Sequence, residues 1–313
     1  MGYANVVNFC GIRIAGLSGI YKSQDFYKGH FEIMPYNKST MHSVYHVRNL
    51  DVFRLSQVKQ PIDIMLTHDW PTGIYNHGNF EQLIRFKPYF ENEMRSNTLG
   101  SPENEKLLEK LKPNYWFSAH LHAKFSCVKK HYDDKNPNLS ESEKKITKFL
   151  ALDKCLPHRK FLQVIDIEGD SNHAEKSLSL DPEWLAILKK TDHLLSVESY
   201  FQAPLTEKDN IIITEDDINL VRDDFQNSFE IPNNFCQTAP PHKENVNNEP
   251  SNNATNYTPY LNEQTTLYCE MLNIRDPIRV ILEKRGKSSI IMESQTKLYN
   301  DLLNESDDAE EQT

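Results

Sequence analysis

The sequence predicts an α/β protein, on three observations. Short apolar runs rich in β-branched and aromatic side chains recur at 6–9, 12–17, 62–67 and 115–117. Stretches with helical periodicity at 49–58, 81–95 and 102–111 alternate with them. Histidines stand where two of the apolar runs stop: His68 after the run at 62–67, and His120 and His122 just beyond Tyr115-Trp116-Phe117.

Taken in order, Val6-Val7-Asn8-Phe9 and residues 12–17 read as two strands around the turn Cys10-Gly11. Gly16 and Gly19 mark the exit into a long loop. A short helix at 49–58 leads through Gln60-Pro61 into the strand before His68, and Asp69-Trp70-Pro71 ends that strand. Helical material covers 81–95. A helix at 102–111 has Ser101 as its cap, Pro102 in its first turn and Glu103 facing the dipole. Strands are expected at 124–128, 147–152 and 161–167, the last two as a pair joined by 153–160. The pattern then turns helical. Helices are expected at 182–195 after Asp181, at 215–225 after Thr214 with Asp217 completing a partial capping box, at 267–272 and at 277–284. Residues 231–260 are dense in Asn, Pro, Thr and Ser and read as an irregular insertion.

With 313 residues, 38% hydrophobic and 26% charged, the chain can bury a core without staples, and it has no apolar run of membrane-spanning length. It is expected to be neither membrane-embedded nor wholly disordered. Cys10, Cys127, Cys155, Cys236 and Cys269 are scattered, lack C-x-x-C spacing and follow no cleavable signal, which predicts a reducing compartment and no cysteine zinc finger. The glycosylation-type triplets at Asn37, Asn138, Asn253, Asn256 and Asn304 therefore carry little weight.

A net charge of −10 argues against broad attraction to nucleic acid. The imbalance is uneven, however: the end of the chain from Glu293 is acidic, whereas Lys22, Lys28, Lys38, Arg48 and Arg54 interleave with Tyr21, Tyr27, Phe31, Tyr36 and Tyr45, joined by His30, His42 and His46. Such a mixture can hold phosphates and stack on bases. Tyr21, Lys22, Tyr36, Tyr45 and Arg48 are the candidate substrate contacts.

Side-chain alternation along a strand is expected to send His120 and His122 the same way, and His68 sits at a strand's carboxyl end, where α/β proteins place their sites. Imidazole nitrogen suits zinc, Fe(II) or manganese, so His68, His120 and His122 are the candidate metal ligands. Asp69, and less strongly Asp63, could orient them. The H-x-H pattern also occurs in hydrolases and deaminases of unrelated fold, so it specifies a metal better than a reaction.

Several longer motifs then occur together and in order: 14–22, Lys28-Gly29-His30-Phe31-Glu32, Tyr45-His46-Val47-Arg48, Thr67-His68-Asp69-Trp70-Pro71, 115–122, 149–157, Phe161-Leu162-Gln163-Val164, 262–266 and Asp276-Pro277. Together they resemble the RNA lariat debranching enzymes. The resemblance implies a metallophosphoesterase two-sheet sandwich flanked by helices, with a mostly helical C-terminal debranching-enzyme domain. Residues 1–146 would be the catalytic domain with a lariat-recognition loop at about 22–50, and 147–230 and 261–290 the two parts of the C-terminal domain. The insertion at 231–260 separates them, and an acidic tail covers 291–313. By motif correspondence His68 and His120 would ligate one divalent metal and His122 another.

The family also opens with C-x-H, G-D and G-N-H-E motifs ahead of the strand that carries Gly16, and none of these precedes it here. The catalytic domain is accordingly expected to be N-terminally incomplete, without the bridging aspartate and the acid histidine, and no catalytic residue is assigned. Three functions remain open: metal-dependent hydrolysis of the 2′,5′-phosphodiester at the branch point of excised introns, feeding intron turnover and mRNA processing; an inactive short product that still binds branched RNA; and another metal-dependent phosphodiesterase. Branched intron RNA is the expected partner, with no membrane association, and the location is nuclear with the cytoplasm as a second compartment.

Overall fold

The computed structural model describes residues 2–133, 140, 144–169, 177–206, 209, 211–231 and 261–287. Its centre is a seven-stranded mixed sheet in the order β5-β6-β4-β3-β2-β1-β7. β1 (Ala4–Phe9) and β2 (Ile12–Leu17) form a hairpin in which Phe9 faces Ile12. Its two-residue turn takes φ of 50° at Cys10 and 77° at Gly11, the left-handed pair that matches strand twist. β3 (Ile64–Thr67) runs parallel to β2, and β4 (Tyr115–Ser118) runs parallel to β3. β6 (Ile146–Ala151) pairs in parallel with β4 and antiparallel with β5 (Phe125–Lys130), while β7 (Leu178–Leu180) closes the far edge against β1.

Helices make the crossovers. After α1 (Ser23–Phe26) and α2 (Thr40–Ser43), both one-turn pieces of the long loop, α3 (Asn49–Ser56) leads into β3. α4 (Phe80–Phe86), α5 (Glu91–Arg95) and α6 (Pro102–Leu111) lie between β3 and β4. Ser101 caps α6 through the N–H of Asn104, as its sequence signature requires. The C-terminal helices are α7 (Pro182–Lys190), α8 (Glu215–Asp224), α9 (Glu263–Leu272) and α10 (Pro277–Lys284). Thr214 and Asp217 complete a full capping box on α8. Val6, Ala15, Met65, Trp70, Trp116, Phe149 and Trp184 build the main core, so all three tryptophans are interior.

The sequence expectations are corrected in four places. The single helix expected at 81–95 is broken at Pro88, which forces Lys87 out of the helical region to φ −133° and ψ 70°. Residues 161–167 form no strand, because β4 and β5 already occupy both edges of β6. The helix expected at 182–195 ends at Lys190, and only a short 3-10 turn, Asp192–Leu194, continues it. Where two stacked sheets were implied, the described residues form one. The boundary expected at 146/147 falls inside β6, so the sheet runs through it. The insertion from residue 232 and the tail at 291–313 lie outside the described residues. No described helix is long and apolar enough to cross a membrane.

The C-terminal helices are bolted to the sheet and to the long loop. The Arg13 guanidinium of β2 donates to both carboxylate oxygens of Asp181 at 2.8 Å and to Glu183 at 2.9 Å, while Asp181 also caps α7 through the N–H of Trp184. At Gly29 the loop passes so close to 196–198 that a Cβ would lie 2.2 Å from the Ser196 carbonyl oxygen, so a side chain there would push the two apart. Ile33 joins Val197, Leu261, Ile281 and Leu282 in a second small core beneath the loop.

Candidate functional site

His68 directly follows β3, and His120 comes two residues after β4, so adjacent parallel strands deliver both imidazoles to one edge. Their ring nitrogens, His68 Nε2 and His120 Nδ1, stand 3.2 Å apart. Two imidazoles bound to one tetrahedral cation at about 2.0–2.1 Å would have nitrogens roughly 3.3 Å apart. The pair therefore fits as two ligands of a divalent ion. Burial first, and then the neighbouring His120, lowers the pKa of His68; burial and then Lys22 lowers that of His120. Both rings are thus biased to the neutral form that binds metal.

His122 is placed differently. β4 stops at Ser118, and His120 and His122 both adopt left-handed backbone, at φ 46° and 50°. Strand alternation therefore does not hold across them, and a tight turn sets their directions instead, with Leu121 N–H donating to the Ala119 carbonyl at 2.7 Å. His122 is exposed. Among the described residues, no three His, Cys, Asp or Glu side chains converge where a metal could sit.

A network of hydrogen bonds stitches the two strand ends beneath the pair. Thr67 Oγ1 meets Ser118 Oγ at 2.8 Å and receives the Trp116 indole N–H at 2.9 Å. The Trp70 indole donates to the Ala119 carbonyl, and the Asn104 amide donates to the Asp69 carbonyl, each at 2.9 Å. Asp69 does not touch a histidine through any hydrogen bond among the described residues. Its carboxylate accepts the backbone N–H groups of Trp70 and Tyr21, and burial keeps its pKa above the ordinary value despite them. Asp69 thereby ties the start of the long loop to the histidine edge.

That loop brings Lys22 to the site: it is exposed, and its charge is felt by both His120 and Asp69. Tyr21 is half-buried, with its ring 5.4 Å from that of Phe26. Tyr36 and Tyr45 are 41% and 45% exposed, and the Tyr45 ring meets those of His42 and His46 edge-on, with its hydroxyl 3.0 Å from His42 Nδ1. Arg48 is buried instead. Its guanidinium pairs with Glu32 at 2.6 Å and donates to the carbonyls of Asp25 and Ser43, so it holds the loop together rather than offering charge to a phosphate.

Sequence reasoning missed Arg48's partners. Asp25 meets His46 at 2.6 Å and Lys28 at 2.8 Å, and His30 meets Asp51 at 2.7 Å, so half the bases of the loop are neutralised internally. The signal was present in the acids Asp25, Glu32 and Asp51 interleaved with those bases.

Fold and site together define a mixed α/β protein that carries a paired-imidazole edge beneath an aromatic and basic loop. Residues 144–277 match the lariat debranching enzyme C-terminal domain. The chain is 48% identical over 284 residues to the lariat debranching enzyme of Gallus gallus, covering 88% of this chain and 51% of that one. It is 45% identical over 291 residues to that of Homo sapiens, at 91% and 51% coverage. Against the Arabidopsis thaliana enzyme it is 46% identical over 244 residues, at 77% and 54%. Over most of its length the chain is thus similar to lariat debranching enzymes. It spans about half the length of the curated relatives it matches.

Proposed function

We propose that this chain recognises branched RNA and serves hydrolysis of the 2′,5′-phosphodiester at the branch of excised introns, as a metallophosphoesterase-type hydrolase. The observation that carries the reading is Lys22 at the mouth of an aromatic loop, beside the His68–His120 pair. His68 and His120 would hold one divalent ion, zinc, Fe(II) or manganese. When bound, such an ion polarises a phosphoryl oxygen and acidifies a bound water. The chain's own residues do the rest. Lys22 meets the scissile phosphate as a point charge. Tyr36 and Tyr45, each partly exposed, would stack on unpaired bases, the usual mode of single-strand RNA recognition. Asp69 keeps loop and imidazoles in register, and Arg48 keeps the loop folded. We extend the proposal to the nucleus, where introns are excised.

A second reading, branched-RNA binding without turnover, is favoured by the convergence of two rather than three metal-capable side chains among the described residues. Incubating the purified chain with manganese, zinc or Fe(II), a 2′,5′-branched RNA and its linear 3′,5′ counterpart separates the readings. Linear product released only from the branched substrate, and lost in His68→Ala and His120→Ala, supports the first. Selective binding without product supports the second. Equal affinity for both RNAs overturns both, and cleavage of simple phosphodiesters alone points to a different phosphodiesterase.

A further inference from the structure

Beyond the long loop, a second cationic and aromatic surface flanks the histidine edge from the side of His122. It arises where Pro88 breaks the helical run after α4. Lys87, out of the helical conformation and only 9% exposed, places its Nζ 5.3 Å from the centroid of the Phe86 ring and 5.7 Å from that of Tyr89. Both rings are open to solvent, at 52% and 68% exposure. Arg159 stacks over Phe86 at 5.6 Å.

The same arginine fixes this surface to the site. It forms a two-pronged pair with Asp153, at 2.6 and 2.7 Å, and donates to the His122 carbonyl at 3.2 Å. Lys154 follows Asp153 and is exposed. Arg159 therefore links this basic and aromatic surface directly to the backbone of His122. In a chain of net charge −10, three cations here face one carboxylate, and among the described residues neither Lys87 nor Lys154 has an ion-pair partner. Aromatic faces beside unpaired lysines are the composition of single-strand RNA platforms.

We propose that Phe86, Tyr89, Lys154 and Arg159, with the buried Lys87 packed against the two rings, form a second RNA-binding platform, which stacks an unpaired base on Tyr89 and takes its phosphate on Lys154. The inference rests on the branched-RNA reading above and deepens it. Three strands leave a branch nucleotide, so one arm lies along the loop that begins at Lys22 and another along this platform.

The test uses the whole chain and three fluorescent probes: a branched RNA with three arms, the same branch with one arm trimmed to its first nucleotide, and a linear single strand. Tyr89→Ala is expected to weaken binding of the three-armed RNA about 5- to 150-fold, the range that loss of one base–aromatic stack gives. It should leave the probe trimmed of the platform's arm within about twofold of the unaltered chain. Lys154→Gln, on a separate exposed segment, should lower the slope of log affinity against log salt by about 0.7 on the three-armed probe. If both variants bind every probe as the unaltered chain does while Lys22→Ala weakens branched RNA, the platform is refuted and the branched-RNA reading stands. Weak binding of branched RNA with tight, Tyr89-dependent binding of the linear strand refutes the branched-RNA reading and upholds a nucleotide platform. Failure to bind all three probes overturns both.

Discussion

Replacing Arg48 separates a structural role from a substrate-binding one. Its side chain is 1% exposed and that of Glu32 2%, and the same guanidinium also satisfies the carbonyls of Asp25 and Ser43. Arg48→Ala leaves the Glu32 carboxylate buried with only the Ser43 hydroxyl as donor among the described residues. Removing one partner of such a pair costs about 3–5 kcal/mol, because the other charge stays desolvated. At about 2–4 °C per kcal/mol for a chain of this size class, the thermal midpoint should fall by roughly 6–20 °C. Arg48→Lys keeps the charge but loses the fork, and should fall between the two. Differential scanning fluorimetry gives the midpoint, and hydrogen exchange locates the loss, which should concentrate in residues 22–50. A midpoint unmoved in Arg48→Ala, with weaker RNA binding and a lower salt slope, would refute the buried-pair argument and restore Arg48 as a phosphate contact.

Four further outcomes follow from the same geometry. His68→Ala and His120→Ala should each weaken zinc binding, measured by calorimetry, by more than the about 10–100-fold that loss of a ligand's own partner causes, while His122→Ala changes it less. Trp70→Ala, at a fully buried position whose indole also holds the Ala119 carbonyl, should cost about 3–5 kcal/mol in urea unfolding. Gly19→Ala would set a Cβ 2.2 Å from the Tyr45 carbonyl oxygen at a φ of +100°, so amide exchange of the loop should rise and RNA affinity fall. Asp25, although burial opposes its ionised form, is held below the usual carboxylate range by Lys28 and His46. Its contribution is therefore present above about pH 4 and lost as pH falls through its lower folded value, so loop protection should drop on acidification before a chain carrying Asp25→Asn shows any comparable change.

The sheet was legible in the sequence wherever an element declared itself locally. The hairpin had its Cys10-Gly11 turn, β3 and β4 had short apolar runs before histidines, and the helices after Ser101, Asp181 and Thr214 had caps that the structure reproduces. What failed was what depends on partners distant in sequence. Residues 161–167 have a strand's composition, yet a strand requires a free edge, and no local pattern reveals that β4 and β5 have taken both edges of β6. The site divides in the same way. His68 and His120 were legible as strand-end imidazoles, but the rule that joined His120 to His122 assumed extended backbone past Ser118, where the chain turns left-handed twice. Arg48 and Lys22 look alike in composition, and only the fold shows that one is buried against Glu32 inside the loop and the other is exposed. A basic and aromatic stretch thus overstates the charge available to RNA until its acids are placed. Here Asp25 and Glu32 engage Lys28 and Arg48, which is why Lys22 and the exposed Lys154 carry the electrostatic argument for an RNA ligand.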